Sequence, residues 1–136
     1  MWFDNAYGKE KIIHLFSSEL SITDVELESF LFYAASSLRL TFYTTNIPTN
    51  IPKKWKAIKF NSIRLTIEFS DILEFRSNGL SLGFKCSPKI TPGKDRTSLH
   101  IKNDEFDIYC SARIMEIHDI SPFLDSRFEK HCPSLI

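Results

Sequence analysis

Histidine flanked by carboxylates can move protons or hold a metal ion, and His118 lies between Glu116 and Asp119 in the run RIMEIHDI. An enzyme built on this trio is the arrangement to weigh first. On an alternating strand, however, the same residues read as solvated polar side chains. The other histidines, His14, His100 and His131, are dispersed, and His131 beside Cys132 is simple adjacency without ligand spacing. The chain has no G-x-S-x-G, no H-E-x-x-H and no phosphate-cradling loop. No catalytic residue, no metal ligand and no cofactor is therefore assigned, and the expectation is a protein that is not an enzyme.

Two local charge groupings remain. Lys53, Lys54, Lys56, Lys59 and Arg64 form a basic run with no acidic residue among them, interleaved with Trp55 and Phe60. One reading is a small anion or nucleic-acid patch with Trp55 as a stacking platform, which requires an exposed indole. The other is the solvated edge of a strand, where lysines discourage edge-to-edge pairing while the aromatic rings turn inward. Asp104, Glu105 and Asp107 place three carboxylates at a hairpin tip, a shape suited to a basic partner surface. Seventeen basic and seventeen acidic residues cancel over the chain, so nothing in the net charge recommends nucleic acid or a membrane.

The elements that must carry these groups are mostly strands. Twelve phenylalanines in 136 residues favour a sheet-rich core, and the length fits one domain over residues 1–136. Ile63, Leu65, Ile67 and Phe69 alternate with Arg64, Thr66 and Glu68, which makes a strand with one buried and one wet face. Ser70 and Asp71 interrupt it at a bulge or bend before Ile72, Leu73 and Phe75. Upstream, Pro48 and Pro52 stiffen an arm that ends at Trp55. Residues 25–33 and 38–44 read as a hairpin, with Leu38, Leu40 and Phe42 inward and Arg39, Thr41 and Tyr43 outward.

Asn78-Gly79 signals a tight turn, with Leu80, Leu82, Phe84 and Cys86 as the return strand. Residues 87–97 read as the longest exposed loop. A second hairpin joins residues 98–102 to 105–112 through Asn103 and Asp104, and its pattern runs on to Ile120. Ser121-Pro122 resembles a helix start, to about Glu129. At the other end, residues 2–16 read as a short helix with Asp4 or Asn5 as cap, Ile12, Ile13 and Phe16 on its apolar side, and Trp2 and Phe3 as anchors. The count gives about seven strands. The expected fold is mainly β, an antiparallel sandwich or strongly curved sheet with a short N-terminal helix. Cys86, Cys110 and Cys132 are odd in number and widely spaced, which fits buried thiols in a reducing cytosol. With no signal-peptide pattern and no apolar run of spanning length, a cytoplasmic location is expected.

At Pro52-Lys53-Lys54-Trp55 the chain resembles the fiftieth immunity family of bacterial polymorphic toxin systems. The likeness extends from Trp2 through LFSSELSITDVELESF, a T-x-x-P segment, the P-x-K-W arm, NSIRLTIEF and DILEF to RIMEIHDI. It implies a non-catalytic protein that binds and neutralises a cognate toxin in the cell that makes it, and the mechanism expected here is occlusion of the toxin's active site. It carries over no proven contact residue. Trp55 is the matching motif residue, with a structural role expected in pinning the proline arm to the sheet.

Overall fold

The computed structural model describes residues 1–17, 20–33, 36–79, 84–104 and 106–127. Its frame is one seven-stranded antiparallel sheet: β1 (Val25–Tyr33), β2 (Ser37–Thr44), β3 (Ser62–Gly79), β4 (Phe84–Cys86), β5 (Lys89–Gly93), β6 (Arg96–Asn103) and β7 (Phe106–Phe123), in the spatial order β4-β1-β2-β3-β7-β6-β5. The sheet curls until β4, at one edge, comes within 8 Å of β6 near the other, yet it does not close into a barrel. Of the two architectures expected, the curved single sheet is the one formed.

Its concave face is the core. Leu38, Leu40 and Phe42 of β2 stand opposite Phe69, Ile67 and Leu65 of β3, and all six are essentially fully buried. The helix α1 (Glu10–Phe16) adds Ile12, Leu15 and Phe16 to the same apolar cluster, while Ile13, expected inward, is exposed. Trp2 and Phe3 pack edge to face as anchors, and Trp2 Nε1 donates to the Leu20 carbonyl at 2.8 Å.

The helix is shorter than expected because Gly8 breaks it. Gly8 takes a left-handed φ of +79°, and a Cβ there would meet the Ile117 carbonyl oxygen at 2.9 Å. Neither Asp4 nor Asn5 caps α1. Asn5 instead donates to the Gly93 carbonyl at 2.9 Å.

Three further expectations are corrected. Asn78-Gly79 does not turn β3 back on itself: β7 stays paired with β3 to its end, with Gly79 opposite Phe106, while β2 covers β3 only from Ile63 to Phe69. The return strand, of which Phe84 and Cys86 are described and Leu80 and Leu82 are not, crosses to pair with β1. Residues 87–97 are no loop, because β5 and β6 form a hairpin there, with Asp95 at a φ of +63° in its turn. Pro92 is tolerated since β5 is an edge strand. Ser121 and Pro122 continue β7 opposite Arg64 and Ile63 where a helix was expected, and β6 covers β7 only as far as Ala112, so the missing Pro122 N–H leaves no ladder partner unmet. Residues 128–129 of that expected helix lie outside the described residues.

Candidate interaction face

The convex side of β1, β2, β3 and β7 is wet, and strand pairing sets its chemistry row by row. Arg39 stands opposite Glu68, and Glu68 opposite Glu116. Thr41 stands opposite Thr66, and Thr66 opposite Asp119. Tyr43 stands opposite Arg64, and Arg64 opposite Ser121.

Two bulges add charge to these rows. In β1 the register shifts between Leu27 and Ser29, leaving Glu28 as the extra residue. The same shift accounts for the mixed parity of that strand, since Val25 and Leu27 face the core before it and Phe30 packs on the core after it. In β7 the partner of Thr66 is Asp119 and the partner of Ile67 is Ile117, so His118 is extra. The N-terminal segment fixes this second bulge. Tyr7 pairs with the free edge of β7, its N–H donating to the Met115 carbonyl at 2.9 Å and its carbonyl accepting from Ile117 N–H at 2.8 Å. Lys11 Nζ donates to the Ile117 and His118 carbonyls at 3.1 and 3.4 Å. With those carbonyls held, Ile117 turns into the core while His118 and Asp119 are both exposed. Glu28, Arg39, Thr41, Tyr43, Arg64, Thr66, His118 and Asp119 then line a broad open depression of about 510 Å³.

Within it, some charges are satisfied and others are not. Glu68 accepts hydrogen bonds from the Tyr33 hydroxyl and from Arg39, whose Nη2 lies at 3.2 Å. The bond to Glu68 is the main reason the Tyr33 phenol holds its proton above the usual range. His118 Nδ1 lies 3.3 Å from Glu116 Oε1. One ligand atom each from Glu68, Glu116 and His118 fall within 4.8 Å of one another, but these groups already engage protein partners, and the trio alone defines no metal site. Glu28 and Asp119 have no hydrogen-bond or ion-pair partner among the described residues. Arg64 likewise lacks an acidic partner there. Its guanidinium lies 5.7 Å from the Tyr43 ring and 5.2 Å from the Phe123 ring, which stack on each other at 4.5 Å.

The other sequence candidates lie elsewhere. Trp55 closes a short 3-10 turn, Lys53–Trp55, and its ring is buried, edge to face with Phe60 at 5.8 Å. It is thus a core residue and offers no stacking platform, so the anion-patch reading loses the exposed indole it requires. Lys53, Lys54, Lys56 and Lys59 remain on the surface around that turn. The proline arm before it is tied to the end of α1, where Asn50 N–H donates to the Leu15 carbonyl at 3.1 Å and Asn50 Nδ2 to the His14 carbonyl at 3.1 Å. At the β6–β7 hairpin, Asp104 is exposed in the turn, Glu105 lies outside the described residues, and Asp107 is engaged by His100 Nε2 at 2.9 Å. The chain brings Asp104 and Asp107 to one end of the β3–β7 ribbon and Asp119 to the other. Sequence reasoning placed Arg39, Tyr43 and Arg64 on outward faces without joining them. Residues of the bulges, Glu28 above all, carried only the signal of broken alternation.

The fold is thus a curved antiparallel sheet with a buried concave face and a charged convex face. The chain matches the family model described as Immunity protein 50 over residues 8–123, and it belongs to that family. Immunity proteins act against toxins. No curated protein and no solved structure was found to match it. Among the described residues no helix is long and apolar enough to cross a membrane.

Proposed function

We propose that this protein binds a cognate bacterial toxin in the cytoplasm of the cell that makes both, and neutralises it by covering the toxin's active site. The observation that carries this reading is the family match, which spans α1 and all seven strands. The chemistry of the surface supports it: charged groups of four strands are spread over an open face suited to a protein partner. Inhibition on this reading needs no reaction and no cofactor. Acidic side chains, including Asp104 and Asp107 with Glu105 between them, speed encounter with a basic toxin surface more than they deepen affinity.

The test is co-expression with the toxin encoded immediately upstream, followed by a sizing column. Cells survive and the two chains elute together if the reading holds. Survival without any complex would rule out direct inhibition.

A further inference from the structure

Two β-bulges on different strands turn charged side chains toward one depression, and bulges that re-aim side chains cluster at functional sites. Over the depression and the Glu68–Glu116 row beside it, the carboxylates of Glu28, Glu68, Glu116 and Asp119 outnumber the guanidinium groups of Arg39 and Arg64. Glu68 and Glu116 stand directly opposite each other across β3 and β7, an arrangement that costs stability. Arg39 offsets Glu68, and His118 touches Glu116, but Glu28 and Asp119 face solvent without partners among the described residues. The row from β1 to β7 crosses three strand spacings, so the backbones that carry these two carboxylates lie about 14 Å apart. Beside them, Arg64 is fixed on the stacked Tyr43 and Phe123 rings, the kind of rigid aromatic and arginine group that anchors protein interfaces.

Resting on the toxin-binding reading above, we propose that this convex face is the toxin's docking surface, and that it receives a basic surface of the toxin whose lysine or arginine side chains meet Glu28 at one side and Asp119 with Glu116 at the other. Arg64 is the opposite pole of the contact. It pairs with a toxin carboxylate and repels a uniformly basic partner, so the face selects a particular charge pattern. The acidic hairpin tip at Asp104 lies outside this contact.

The experiment measures binding of the full chain to the upstream-encoded toxin at about 0.1 M salt, with folding of each variant checked by circular dichroism and thermal midpoint. The double variant E28K/D119K is expected to bind roughly 100-fold more weakly, mostly through slower association, and E28Q/D119N roughly 10-fold more weakly. K53A/K54A is expected to bind like the wild type, and D104K to associate no more than about 3-fold more slowly with unchanged dissociation. Unchanged affinity in both double variants, with wild-type binding intact, overturns the docking surface and leaves toxin binding standing. Loss of binding in D104K alone moves the contact to the hairpin and also overturns it. Failure of the wild-type chain to bind at all refutes the toxin-binding reading and this surface with it.

Discussion

Glu68 and Glu116 occupy directly opposed positions on β3 and β7, two carboxylates side by side on the wet face of the sheet. Only Glu68 has a guanidinium partner, Arg39. Replacing Glu116 by glutamine should therefore raise stability, by about 0.3–0.5 kcal/mol, because it removes a like-charge pair at little other cost. Replacing Glu68 by glutamine should lower it by about 1 kcal/mol, since Arg39 and Tyr33 lose their charged acceptor. Denaturant unfolding of the two variants gives the comparison. Equal destabilisation by both would mean that the pair is not repulsive.

The glycine that ends the N-terminal extension should be intolerant of a side chain. Gly8→Ala must hold a left-handed φ and push a methyl group against the Ile117 carbonyl oxygen, in backbone that other contacts fix. A loss of about 2 kcal/mol is expected. Since the same contact supports the His118 bulge, amide exchange should rise at Ile117 as well. An unchanged midpoint would show that the Tyr7 bridge contributes little.

Trp55 separates a structural arm from a ligand platform. Trp55→Ala is expected to cost about 3–5 kcal/mol, from lost contact with Phe60 and the cavity left behind. Adding single-stranded oligonucleotide to the wild type should leave the indole emission where it was. A salt-sensitive change in that emission would contradict the burial.

Burial pushes the Cys86 thiol up to about 11 and the Cys110 thiol up to about 12, so neither forms appreciable thiolate near neutrality. Alkylation at pH 8 should spare both until the chain is unfolded. Mass mapping of the labelled peptides checks this, and labelling of either thiol in the native protein would contradict it.

Hydrogen bonds from Arg127 hold the Asp125 carboxyl below the usual carboxylate range. A depressed folded value means stability that is complete above the unfolded value and lost as the pH falls through the folded one. Asp125 is buried, and its backbone exchanges hydrogen bonds with the Asn61 side chain, its N–H donating at 2.8 Å and its carbonyl accepting at 2.9 Å. The wild type should thus be more stable than D125N at neutral pH, and the gap should close as the pH drops below about 4. A constant gap across that range would mean that the Arg127 contact adds nothing through charge.

How much of this was legible beforehand depended on whether a feature is written locally. Alternation in residues 38–44 and 63–69 fixed which side chains face the core, because each strand reports its own faces. Strand order is a property of the whole sheet, and Asn78-Gly79 misled because a turn signal does not reveal that β7 pairs with β3 to its last residue. Pro92 and Pro122 misled in the same way, since an edge position makes proline acceptable in a strand. Glu28 and His118 reached the candidate site through bulges, and a bulge appears in sequence only as parity that fails. The acidic hairpin was visible as composition, but the pairing of Asp107 with His100 was not, because seven residues and a turn separate them.

The central claim is that this chain acts by stoichiometric contact with a toxin. Titrating the purified chain into the upstream-encoded toxin while following the toxin's own activity tests it most directly. Activity is expected to fall linearly to zero at one chain per toxin. Full toxin activity in the presence of a several-fold excess of folded chain would contradict the account.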